Sequence, residues 1–183
     1  MDDQLRGFEG ASMKSITPNL WFDGTAREAA EFYAQLIPDS RVDRLLYSPA
    51  DNPSAKKGEL LCVEFTLHGQ KYLGINGGPA FKFNEAVSFS IECENQAEVD
   101  RYWDALTANG GRGIQCGWCQ DRFGLYWQVT PRRLFELLYG EDTDANERAA
   151  QAMFKMVKID IAALEAAAAA PADTPSIIKR SNK

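Results

Sequence analysis

Histidine is almost absent from this chain: one residue, His68, in 183. Catalytic zinc and nickel centres draw on histidine and carboxylate, and a non-haem iron triad needs two histidines. Those chemistries therefore lack their ligands, and a single histidine in a turn reads as solvated filler. Cysteine is scarce too. Cys62, Cys93, Cys116 and Cys119 are too few for a disulfide scaffold at this length, and three of them sit in apolar strand-like runs, where reduced cysteine behaves as a small hydrophobe. No apolar run approaches the roughly 20 residues that span a bilayer, and no charged-then-apolar leader opens the chain. Positive charge is outweighed: 20 Lys and Arg against 26 Asp and Glu leave a net charge of −6. That balance argues against nucleic acid or an anionic membrane as partner. A glycine-rich turn between strand and helix, the mark of a nucleotide cofactor site, is missing as well. Asn76-Gly77-Gly78-Pro79 leads into Phe81-Lys82-Phe83 instead of a helix. The expectation is a cytoplasmic protein with no metal and no cofactor.

What is present is apolar residues at 45%, enough for one generous core or two small ones. Residues 1–12 carry no periodicity and read as a disordered or appended leader, and 171–183 as a disordered tail. Between them Ile16–Asp23 reads as a strand, followed by a helix capped by Thr25, with Glu28 completing a capping box. Ala26, Ala29, Ala30, Tyr33 and Leu36 give that helix its apolar stripe. Strands follow at Arg41–Tyr47, Glu59–Leu67 and Gln70–Asn76, the last two joined by a His68-Gly69 hairpin turn. The pattern then restarts: a strand at Ala86–Cys93, and a helix capped by Asn95 with Glu98 three residues on. Phe32-Tyr33 against Tyr102-Trp103, Glu28 against Glu98, Leu36 against Leu106 and Thr25 against Asn95 all share an offset of 70. Matches at one offset, each with a structural meaning, indicate an internal duplication of a βαβββ unit. Gln115–Pro131 closes the second unit as two strand segments around a turn at Asp121–Gly124. Short helices at Arg133–Tyr139, Asp144–Val157 and Ile161–Ala170 follow, expected to pack outside the repeat and across a dimer interface.

The stretches FKFNEAVSFSIECENQAEVDRYW, QCGWCQDRFGLYWQVTP and MFKMVKIDIAALEAA resemble the PhnB-like family, also labelled 3-demethylubiquinone-9 3-methyltransferase-like, of the vicinal oxygen chelate superfamily. The resemblance implies an α+β fold of two βαβββ modules in a U-shaped mixed sheet around a pocket, in a homodimer. It divides the chain into module one at 15–80, module two at 81–131 and C-terminal helices at 132–170, within a domain at 13–170. Two departures stand out. Where the family tends to read GWLKD this chain has Gly117-Trp118-Cys119-Gln120-Asp121, and where it tends to have Ser before the second Trp this chain has Tyr126. The first removes a lysine that would meet an anionic ligand. The superfamily's metal-ligand places fall at Pro18, near Gly74, at Val87 and at Gln128, none of them a good ligand.

Several constellations remain. Cys116-Gly-Trp-Cys119 lies in a strand rather than opening a helix, which favours structural cysteines over a redox pair. Glu64 sits in an apolar strand, and alternation places Glu92 beside Ser88 and Ser90, on the face where module one has Phe22. Apolar walls would raise either carboxyl toward a range useful for proton transfer; the alternative is two ordinary surface charges. Gln128, between Trp127 and Val129, needs a partner for its amide. With Trp118, Phe22 and Asn76 it would line a pocket for a planar, neutral or weakly polar molecule, unless it bonds neighbouring backbone and Trp118 is core. Three functions follow: a metal-independent protein binding a small aromatic or neutral molecule, a metal-free isomerase or lyase using Glu92 or Glu64 as base, and, last, the methyltransferase of the family label.

Overall fold

The computed structural model describes residues 16–171, so the expected leader, and the expected tail beyond Pro171, lie outside the described residues. The chain divides into two compact units between Phe81 and Lys82. The first runs β1 (Asn19–Phe22), α1 (Ala26–Leu36), β2 (Arg41–Tyr47), β3 (Leu60–Leu67) and β4 (Gln70–Asn76). Its sheet has the order β1-β4-β3-β2, with β1 parallel to β4 and the other pairs antiparallel. His68 and Gly69 both adopt left-handed backbone conformations in the β3–β4 turn, as a two-residue hairpin requires.

One face of this sheet is apolar and packs on α1. Leu20, Phe22, Val63, Phe65 and Leu67 are buried, as are Ala26, Ala29, Ala30 and Tyr33 of the helix. Small residues bring helix and sheet close: a Cβ on Gly74 would lie 3.2 Å from Ala26 Cβ and 3.4 Å from the Phe22 ring. Tyr33, Phe65 and Tyr72 continue this layer as a chain of aromatic contacts. The expected local cap is not used, because Thr25 makes no side-chain cap bond. Asn76 serves from β4 instead, its Oδ1 accepting the Ala26 N–H at 2.9 Å while its Nδ2 donates to Leu60 O at 3.1 Å.

The second unit repeats the topology. β5 (Phe89–Cys93), α2 (Gln96–Thr107), β6 (Arg112–Gly113), β7 (Trp118–Gln120) and β8 (Tyr126–Pro131) form a sheet of order β5-β8-β7-β6, with β5 parallel to β8. Here the local cap forms: Asn95 accepts the Glu98 N–H at 3.1 Å, and Glu98 reaches one residue beyond the cap to accept the Glu94 N–H at 2.9 Å. Cys93, Cys119, Trp127 and Val129 are buried with Val99, Tyr102, Trp103 and Leu106 of the helix.

The helices repeat at an offset of 70, but the strands before them do not. Two residues, Asp23 and Gly24, lie between Phe22 and Thr25, and one, Glu94, between Cys93 and Asn95, the extra residue of the first unit being accommodated where Gly24 takes a φ of +79°. Phe22 therefore corresponds to Cys93, and Glu92 to Trp21. A one-residue slip exchanges the faces of a strand. The expectation that Phe22 and Glu92 share a face is corrected accordingly.

Three further helices, α3 (Arg132–Leu138), α4 (Thr143–Met153) and α5 (Ile161–Ala169), complete the second unit. Leu134, Ile159 and Leu164 form their core, with Leu137, Leu138, Ala152, Met153 and Met156 around it. They dock on their own sheet. Cys116 and Gly117 donate to the carbonyls of Met156 and Val157, each at 2.9 Å, and the Gln96 amide bonds both Ile159 O and Ile161 N.

Candidate functional site

In each sheet the face turned away from the helix carries the polar side chains. On the second sheet, Gln128 pairs with Trp118 of β7 on one side and with Ser90 of β5 on the other, so these three side chains share that face. Trp118 and Gln128 are half-buried. Gln128 Nε2 donates to Ser88 Oγ at 2.8 Å, so its carboxamide is oriented by a side chain and not by backbone. Its Oε1, and the Trp118 indole N–H, make no hydrogen bond among the described residues.

Two residues along each strand toward the hairpin turn lies a second polar row. Gln120 pairs with Tyr126 and with Arg112. Arg112 Nε donates to Gln120 Oε1 at 2.9 Å and its Nη2 to the Tyr126 hydroxyl at 3.4 Å. Burial, then a hydrogen bond with Glu85, holds the Tyr126 phenol above its ordinary range. Gln120 and Tyr126 are the two departures from the family pattern, and here they are cross-strand partners gripped by one arginine. Their six-residue separation across a four-residue turn was the available signal.

The remaining sequence candidates fall elsewhere. Phe22 is core beneath α1 and the Asn76 amide is committed to Ala26 and Leu60, so both lie on the helix face. Glu92 is on the polar face of the second sheet, exposed, and Arg132 bridges it at 2.8 Å to Glu94 at 2.7 Å. Glu64 is on the polar face of the first sheet in a two-pronged pair with Arg44, at 2.9 and 3.0 Å. Hydrogen bonding to Arg44 holds the Glu64 carboxyl below the usual carboxylate range. This corrects the expected upward shift, since a guanidinium rather than an apolar wall faces the carboxylate. Cys119 points into the core and burial pushes its thiol up to about 12.

A family model described as 3-demethylubiquinone-9 3-methyltransferase matches residues 14–130, well over half of the chain, and the chain belongs to that family. Among solved structures it is similar to a PhnB protein from Bacillus cereus, with 29% identity over 64% of this chain and 99% of that one and a TM-score of 0.57. It is also similar to protein PA1353 from Pseudomonas aeruginosa, with 24% identity over 64% and 97% of the two chains and a TM-score of 0.52. No curated protein matches it.

The divalent ion that the superfamily resemblance implies does not fit the donors present. Gly74 has no side chain, Val87 is aliphatic and exposed, Pro18 cannot ligate, and Gln128 offers a neutral amide. Among the described residues no three His, Cys, Asp or Glu side chains group to hold a metal. A nucleoside cofactor fits no better, because each sheet has only one parallel pair, and the first-turn donors of α1 and α2 meet Asn76 and Asn95. Among the described residues no helix is long and apolar enough to cross a membrane.

Proposed function

We propose that the polar face of the second sheet binds a small aromatic or neutral molecule without a metal ion, Trp118 supplying the ring platform and Gln128 the polar anchor. The observation that carries this reading is the register pairing of Trp118 with Gln128, one offering an uncommitted N–H and the other an uncommitted carbonyl. A phenol or aromatic amide has the matching donor and acceptor beside a ring that stacks on indole. Ser88 fixes which end of the Gln128 amide faces outward. The test is a thermal-shift screen of phenols and aromatic amides, followed by calorimetry. Gln128→Leu should weaken the hits about tenfold, the worth of one hydrogen bond to a half-buried group, and unchanged affinity would refute the assignment.

A second reading, a metal-free isomerase or lyase, draws support from Glu92 standing on the same face as Ser90 and Gln128. Turnover of a hit that disappears in Glu92→Gln while binding persists would establish it. The methyltransferase reading ranks last, for want of a cofactor cradle. We place the protein in a homodimer, with exposed Phe135 and Tyr139 stacked at 6.3 Å on the C-terminal helices as the apolar surface to be covered; light scattering of Phe135→Ser would report a monomer.

A further inference from the structure

A cavity of about 220 Å³ opens on the first unit, lined among others by Thr17, Asn19, Asp43, Glu64, Lys71 and Leu73. It is smaller than the roughly 300–1,000 Å³ of sites for drug-sized ligands. Its floor is built by register. Arg44, Glu64, Leu73 and Asn19 form one row across the four strands. Thr66 opposite Lys71 forms the next. Asp43 sits at a β-bulge between Val42 and Arg44, and it reaches this row because Thr66 Oγ1 donates to its carboxylate at 2.6 Å.

The charges alternate, and most are committed. Glu64 is paired to Arg44, and Asp43 to Arg41 at 2.7 Å. Asn19 Nδ2 donates to Thr17 O at 3.0 Å. Three groups make no hydrogen bond among the described residues: the Lys71 ammonium, whose charge acts on the Glu64 carboxylate, the Thr17 hydroxyl and Asn19 Oδ1. A simple anion would suit Lys71 but face Asp43 and Glu64. A simple cation would suit the carboxylates but face Lys71. A molecule carrying both charges within a few bonds meets neither conflict.

From this arrangement we infer that the cavity is a binding site for a small zwitterion of the α-amino carboxylate class. The ligand carboxylate accepts from Lys71 Nζ and Thr17 Oγ1. Its ammonium donates to Asn19 Oδ1 and toward the lone pairs that Asp43 and Glu64 do not spend on their arginines. Leu73 is the apolar floor for a short side chain. Every residue of the site belongs to the first unit.

The experiment titrates the full-length protein with alanine, acetate and ethylammonium at fixed ionic strength, read by saturation-transfer NMR and calorimetry. Alanine should bind at least tenfold more tightly than either single-charge fragment. Lys71→Met and Asn19→Leu should each weaken alanine at least tenfold, while Lys71→Arg retains most of the affinity. Lys71 and Asn19 are exposed, and circular dichroism of each variant checks that the fold is kept. Acetate binding as tightly as alanine, alanine failing to bind at tens of millimolar, or indifference to Lys71→Met would each overturn the assignment.

Discussion

The Asp121 carboxylate accepts the indole N–H of Trp127 at 2.8 Å, and its other oxygen takes the backbone N–H groups of Phe123 and Leu125 at 2.9 and 3.0 Å. Asp121 is buried, as are Trp127 and Leu125. One side chain thus closes the turn at Gly124, where φ is +89°, and ties it to the strand carrying Gln128. Asp121→Ala leaves three donors without their acceptor, each costing about 1–3 kcal/mol when buried and less where water reaches the turn. A loss of about 2–4 kcal/mol in urea unfolding is expected, with Trp127 emission shifted to the red. Asp121→Asn keeps an acceptor for the turn and should lose less. Equal stability of Asp121→Ala and the parent would remove this carboxylate from the hairpin's support.

Asn76 crosses from β4 to the start of α1, its amide bonded to Ala26 N–H and Leu60 O. Replacing a helix-capping side chain with alanine costs about 0.5–2 kcal/mol, and Asn76→Ala also strips Leu60 O of its donor. Expected is a loss near the top of that range in denaturant unfolding, with no change in the affinity of compounds that bind beside Trp118. A variant of parental stability with weakened binding would return Asn76 to the site.

How much of this was legible in the sequence depends on how far each interaction reaches along the chain. Stripes and caps are local, so α1, α2, the His68-Gly69 hairpin and the duplication could all be read from spacing. The faces of β1 and β5 could not be read from the helix alignment, because one residue near Gly24 changes strand parity without disturbing either helix. Phe22 was therefore assigned to the wrong side. The cap of α1 was also out of reach: the local rule points to Thr25, whereas Asn76 arrives from 50 residues away. Trp118 and Gln128 were singled out as residues from the dryness of their strand. Their placement on one face follows from a register set by Asp121 and the turn, and the Arg44–Glu64 pair depends likewise on how β2 meets β3.

The Arg44–Glu64 pair sets a small acid dependence. Arg44 holds the folded-state carboxyl of Glu64 below its ordinary value, so folding favours the charged form. That stabilisation is fully present above the unfolded value, near 4.3 for a glutamate, and is lost as pH falls through the depressed folded value. Both side chains are solvated, so the effect is minor. Glu64→Gln should leave a slightly flatter loss of stability below about pH 4 and the same curve shape at neutral pH. A stability advantage of the parent over Glu64→Gln that grew as pH fell below about 4 would contradict the sign.

The four thiols should divide by burial. Desolvation pushes Cys93 and Cys119 up to about 12, which at pH 8 leaves on the order of one thiolate in ten thousand. Cys116 is half-buried, its Sγ 3.6 Å from Met153 O, and Cys62 is also partly accessible. An aromatic disulfide reagent at pH 8 should therefore titrate at most two thiols of the folded protein, with Cys93 and Cys119 appearing only in denaturant. Mild oxidation of the folded chain should form no Cys116–Cys119 bridge, because Cys119 faces α2 from within the core and would have to leave it. Peptide mapping after alkylation distinguishes the outcomes. Recovery of a Cys116–Cys119 disulfide from protein that never unfolded would mean that the strand opens far enough to expose Cys119, and the structural role given to these cysteines would have to be replaced by a redox one.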